Sequence, residues 1–252
     1  MTTDPRVVAA EWRPQYPGRR DASDIVDPII EPDWAGLRVV AAIDRGTAEI
    51  YRYGDRIEVP ASLEEALGYA FEATDGVIEG HLTKRAFDTG VGAYPAREPV
   101  PRTMFSLPRF FHRDNRDPYL IGRQHQAAEE ARALPFLEAL ADGEDHAFVA
   151  TDLLWLDGQP LLEVPLLERK RQLDTLLAQS RLVRVTPFAR PGGSRLAGTW
   201  GTLGFEHISW RAANSRYTPG RENPDWVVVP APRGASRAAI SSGADEDPPP
   251  AD

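Results

Sequence analysis

Residues 150–177 read ATDLLWLDGQPLLEVPLLERKRQLDTLL, and their pattern sets the fold class. Joined to the residues before it, HAFVATDLLWL (146–156) is an apolar run of strand character, stopped by the turn pair Asp157-Gly158. Beyond the turn, LLERKRQLDTLLAQ places apolar residues at helical spacing. A buried strand, a tight turn and an amphipathic helix are therefore expected in that order. On the ordinary exposure habit of lysine, Lys170 reads as a basic surface residue of the helix.

Upstream, LRVVAAI, a turn at DRGT, AEIYRY, a turn at GD and RIEVP describe an antiparallel meander. Ser62 and Glu65 form a capping box ahead of LEEALGYAFEA, which predicts a helix starting near residue 63. VIEGHL (77–82) is expected to be a short strand. Residues 1–27 read as an irregular lead-in and 85–120 as a long excursion around MFSLPRFF, with RFFHR packing its phenylalanines back onto the domain. QHQAAEEARALPFLEALA is helical in pattern, with Pro135 kinking or dividing it. Downstream, RLVRVTPF, FEHIS and WVVVP are three further strands, and 231–252 is an acidic, proline-rich tail expected to be disordered. There is no internal repeat. The sum is an α+β domain of mostly antiparallel sheets.

The bulk numbers narrow the function. The 252-residue chain is 42% hydrophobic and 27% charged, as ordinary globular domains are. No apolar run approaches the length of a membrane span, and no signal peptide precedes the domain, so a cytoplasmic location is expected. Zero cysteines exclude disulfides, thiolate metal sites and a thiol nucleophile. The net charge of −9 opposes indiscriminate nucleic-acid binding, although seven arginines fall between 181 and 221. Only Lys84 and Lys170 could serve any chemistry that needs a lysine.

In the order EPDWAGLR (31–38), IEGH (78–81), ATDLLWLDG…PLLERK (150–170), GFEHISWR (204–211) and YTPGRENPDWVVVP (217–230), these segments resemble the motifs of the ATP-dependent DNA ligase family. The likeness runs from about Pro28 to Pro230. It implies an α+β, ligase-like adenylation (nucleotidyltransferase, ATP-grasp-like) domain whose antiparallel sheets flank a nucleotide cleft. It also implies a chemistry. In the family a lysine amine attacks the α-phosphorus of ATP, cationic neighbours receive the developing charge, and a carboxylate-bound divalent ion orients the triphosphate.

Against that pattern this chain departs where the chemistry is done. The nucleophile position is Asp33, an anion, and the neighbouring aspartate position is Ala35. His81 stands where a ribose-binding glutamate is expected, and Thr151 where an aromatic residue would stack on adenine. Arg211 replaces a lysine, and Val228 and Pro230 replace two more. Glu31, Gly36, Arg38 and Glu206 match the family, as do the framework residues Leu153, Leu154, Leu156, Asp157, Gly158, Pro165, Tyr217, Pro219, Gly220, Asp225 and Trp226. The resemblance thus implies a nucleotide-binding set of Glu31, Arg38, His81, Thr151, Glu206 and Arg211 with no intact catalytic lysine. ATP and Mg²⁺ are expected to bind weakly, with no tightly held cofactor and no dedicated metal site. Trp155, Trp210 and Trp226 are expected in the core or at the rim. No DNA-clamping OB-fold domain is expected after Pro230, and DNA binding is expected to be weak or absent. The expected role is a pseudoenzyme that binds a nucleotide or a protein partner. The alternative is an active ligase or nucleotidyltransferase in DNA repair with a displaced nucleophile.

Overall fold

The computed structural model describes residues 4–84, 146–190 and 194–232, together with 125–127, 129, 130, 133, 134, 136–138 and 140. The excursion expected at 85–120, the kink expected at Pro135 and the tail from 233 onward lie outside them.

The lead-in, read from the sequence as irregular, carries short regular elements. Helix α1 (Pro5–Glu11) starts with Asp4 as N-cap, its side chain accepting from the Arg6 N–H, and with proline in the first turn where no N–H is needed. Strand β1 (Tyr16–Pro17) follows, then β2 (Pro28–Pro32), buried along its whole length. The meander is present as β3 (Leu37–Asp44), β4 (Thr47–Arg52) and a short β5 (Asp55–Arg56). Helix α2 (Ala61–Ala70) begins after Pro60, and Ser62 makes no capping bond. The proline, which cannot continue a strand ladder, starts the helix two residues ahead of the expected position, leaving Ser62 inside the first turn.

Strand β6 (Asp75–Lys84) is longer than expected, and β7 (His146–Leu156) has the predicted bounds. The Asp157-Gly158 turn joins β7 to β8 (Gln159–Pro160), both turn residues having positive φ (43° and 81°) as a two-residue hairpin requires. Helix α3 (Leu166–Leu176), β9 (Val183–Val185), helix α4 (Ser194–Thr202), β10 (His207–Ala212), β11 (Glu222–Asn223) and β12 (Trp226–Pro230) follow in chain order.

The strands form a seven-stranded sheet ordered β5-β4-β3-β6-β7-β8, with β9 also on β7, and a three-stranded sheet ordered β12-β10-β2. Pairing is antiparallel except β7–β9 and the β1–β11 ribbon. Alternation along β3 divides the large sheet into two faces. Val39, Ala41 and Ile43 pack with Ile50, Ile78, Phe148 and Leu153 beneath Leu63 and Leu67 of α2 and Leu173 of α3. Val40 and Ala42 point the other way, toward Ala9 of α1, Trp12 and Tyr217. This second face also turns toward the small sheet. Val149 of β7 packs there with Ile30 of β2, Trp34 and Ile208 of β10.

Candidate nucleotide cleft

Strands of both sheets carry the expected site residues, all but Glu206 beside one buried charged region. Asp33 directly follows β2, its N–H bonded to the His207 carbonyl at 3.1 Å. Trp34 anchors this loop, burying its ring edge-on to Phe205 and donating from Nε1 to Thr186 at 2.8 Å. Gly36, with φ of 145°, lets the loop pass 2.2 Å from the Leu82 carbonyl to where a Cβ would sit. No residue with a side chain fits there.

Arg38 and His81 are register partners on β3 and β6, and Glu79 lies two residues along on the same face. Thr151 is the extra residue of a bulge in β7, since Glu79 pairs with Asp152 and Gly80 with Ala150. The bulge turns the Thr151 hydroxyl onto the Glu79 carbonyl at 3.2 Å and frees the Thr151 carbonyl for a side chain. Glu206 is exposed just ahead of β10, away from the buried groups, while its carbonyl accepts from Ala231.

Charged side chains fill the rest of the cleft. Arg38 donates to Glu79 from Nε at 2.8 Å and from Nη2, and its Nη1 reaches the Gln15 carbonyl at 2.7 Å. The other Glu79 oxygen accepts from Tyr217 at 2.5 Å, whose hydroxyl in turn accepts from Trp12 at 2.9 Å. Burial, then the Glu79 charge, holds the Tyr217 hydroxyl protonated well above its usual range. Asp152 receives a two-pronged contact from Arg169 at 2.8 and 2.9 Å and a third bond from Arg211 at 3.1 Å. Burial alone would raise the Asp152 carboxyl, but Arg169 and Arg211 outweigh it and hold the pKa at about 2. Arg38 and Arg211 also lie 5.4 and 5.1 Å from the Trp226 ring.

Lys170 corrects the sequence expectation. It is 2% exposed, with Nζ 2.6 Å from the Glu31 carboxylate and 2.8 Å from the Thr151 carbonyl. The exposure habit of lysine placed it on a solvated face. The bulge at Thr151 and a buried acid on β2 instead draw it inward, together with its neighbour Arg169. Sequence reading also passed over Asp152, Arg169 and Tyr217 as functional residues. The charged pair Arg-Lys following an apolar strand that itself holds an aspartate was the available signal. Lys84 ends β6.

Four cations thus face three carboxylates, all with side chains nine-tenths or more buried: Arg38, Arg169, Lys170 and Arg211 against Glu31, Glu79 and Asp152. Glu129, partly buried and 3.7 Å from Arg38, supplies a fourth negative charge. The Arg211 Nε–H alone among these four cations is a buried donor without an acceptor among the described residues. Among the described residues no group of histidine and carboxylate side chains is arranged to hold a metal ion, and no helix is long and apolar enough to cross a membrane.

A large antiparallel sheet facing a small one, with motif positions on β2, β6, β7, β10 and β12, is the α+β fold of ATP-dependent DNA ligase adenylation domains. The solved structures similar to this chain include two mycobacterial ones. The ligase domain of M. tuberculosis LigD is 19% identical, with a TM-score of 0.58 over 88% of this chain and 60% of that one. A mycobacterial DNA ligase D complexed with ATP and MES is 19% identical, with a TM-score of 0.56 over 87% and 60%. The chain therefore spans about three-fifths of the length of the structures it matches. No family model and no curated protein matches the sequence.

Proposed function

We propose that this chain is a ligase-fold domain that does not adenylate itself and works as a nucleotide-responsive or protein-interaction module. The observation that carries the reading is the internal use of the cleft's cations. Arg38, Arg169, Lys170 and Arg211 are each engaged by a carboxylate of the same chain. A triphosphate entering the cleft would meet Asp33 where the family has its nucleophile and no unengaged cation among the described residues. It would have to displace buried pairs, each of which resists separation by several kcal/mol, roughly 3–5 on general grounds.

The similar mycobacterial ligase was solved with ATP, and the same ligand suits this chain only weakly. Among the four buried cations, the Arg211 Nε–H is the foothold left to it. Glu206 would at most touch a Mg²⁺ ion that arrives with the nucleotide. Lys170 does not replace the missing lysine in this reading, because its ammonium is spent on Glu31 and Thr151. Binding to DNA is weak or absent, and the partner is either an adenine nucleotide or another protein.

Calorimetric titration with ATP, with and without Mg²⁺, followed by intact mass of the same sample, tests the proposal. Weak or no binding with unchanged mass is expected. An AMP adduct would overturn it in favour of an active nucleotidyltransferase with a displaced nucleophile.

A further inference from the structure

Lys170 has surroundings that are unusual for a helix lysine. Its ammonium meets a carboxylate from the opposite sheet at 2.6 Å, a backbone carbonyl freed by the β7 bulge at 2.8 Å, and the ring of Phe188 at 5.8 Å. An anion, a neutral acceptor and an aromatic ring around one point form a receptor for a primary ammonium ion. The acceptors are rigid. Glu31 lies in β2, paired with Ser209 of β10, and Thr151 is held by the ladders on both sides of the bulge. The occupant is not held in the same way, since it reaches the box through a flexible four-carbon stem from the first half of α3. Phe188 is only partly buried, so one wall of the box extends toward the surface. Burial lowers the Lys170 pKa, with the Glu31 charge opposing that shift.

We propose that Glu31, the Thr151 carbonyl and Phe188 form a primary-ammonium binding site that the chain fills with its own Lys170. An outside amine gains access only when that side chain is withdrawn. The inference deepens the reading above, since it names the group that keeps Glu31 from an external ligand, and it takes no position on adenylation.

The test is chemical rescue of Lys170→Ala with n-propylamine, which restores the three carbons and the ammonium that the substitution removes. The expected result is a thermal midpoint for Lys170→Ala that climbs with propylamine concentration as mass action requires. 1-Propanol, which lacks the charge, has no such effect. Wild type and Arg171→Ala, whose site is already occupied, show no response to either. If Lys170→Ala does not fold alone, it is refolded in the same two series, and recovery with the amine but not the alcohol is the supporting result. Glu31→Gln/Lys170→Ala, which strands no charge, is expected to fold without an amine and to gain nothing from it. Equal behaviour of amine and alcohol, or an equal amine response in this double variant, would overturn the proposal. An AMP adduct on wild type would overturn the proposed function and leave the rescue result standing.

Discussion

The two faces of the seven-stranded sheet are built from alternate residues of the same strands, and the second adds a buried charged cluster to its apolar packing. On one face Val39, Ala41, Ile43, Ile78 and Phe148 meet α2 and α3 through apolar contact alone. On the other, Arg38, Glu79 and Asp152 meet the small sheet and the lead-in through buried charge and hydrogen bonds. An apolar face tolerates substitutions of similar volume. A charged face tolerates only changes that keep every charge matched, because one unpaired ion in the interior costs more than the pair contributes. This difference lets an apolar framework coexist with a buried charged cluster whose cations are paired within the chain.

The largest effects should come from breaking either face with one substitution. Asp152→Ala strands Arg169 and Arg211 together and should cost about 3–5 kcal/mol. Phe148→Ala on the apolar face should cost a similar amount, about 3–5 kcal/mol. Denaturant midpoints at fixed m-value measure both. The faces should part company when both partners change. Glu31→Gln with Lys170→Met removes a matched pair and should recover most of the loss seen for Lys170→Met alone, ending within about 1–4 kcal/mol of wild type in either direction. A double truncation such as Phe148→Ala with Leu67→Ala should show no such recovery.

Acid distinguishes the faces next. Arg169 and Arg211 hold the Asp152 carboxyl at a pKa of about 2 in the folded protein, below the ordinary aspartate value. A depressed carboxylate contributes stability above its unfolded pKa and loses it as pH falls through the folded one. This component should therefore disappear between about pH 4 and pH 2. Asp152→Asn should unfold with a shallower pH dependence in that window, whereas Phe148→Ala should keep the wild-type slope. The smallest effect concerns a local signal. A capping box at Ser62 predicts a loss of about 1 kcal/mol for Ser62→Ala. Without a capping bond the change should stay within about 0.5 kcal/mol.

Most of the apolar face was legible in the sequence. The bounds of β7, the Asp157-Gly158 turn and the β3–β4 meander follow from periodicity and turn chemistry, which are local properties. The family motifs likewise brought Glu31, Arg38, Thr151 and Arg211 to one cleft. The cleft's internal pairing was not legible, because it depends on contacts between distant strands. Nothing near Lys170 in sequence announces that Glu31, far upstream, will sit 2.6 Å away. The bulge at Thr151 was equally hidden, because a single extra residue leaves the apolar run unbroken. In the lead-in, Asp4-Pro5 was a readable start signal, but the two short turns that follow are too brief for a periodic pattern to stand out.

The most direct test of a cleft neutralised by its own chain is to restore the missing family residues and ask whether chemistry returns. Asp33→Lys with Ala35→Asp and Thr151→Phe, incubated with ATP and Mg²⁺ and examined by intact mass, should show no AMP adduct. Arg38, Lys170 and Arg211 would still be engaged by Glu79, Glu31 and Asp152. An adduct on the substituted lysine would mean that these pairs open readily for a nucleotide. That result would contradict the account.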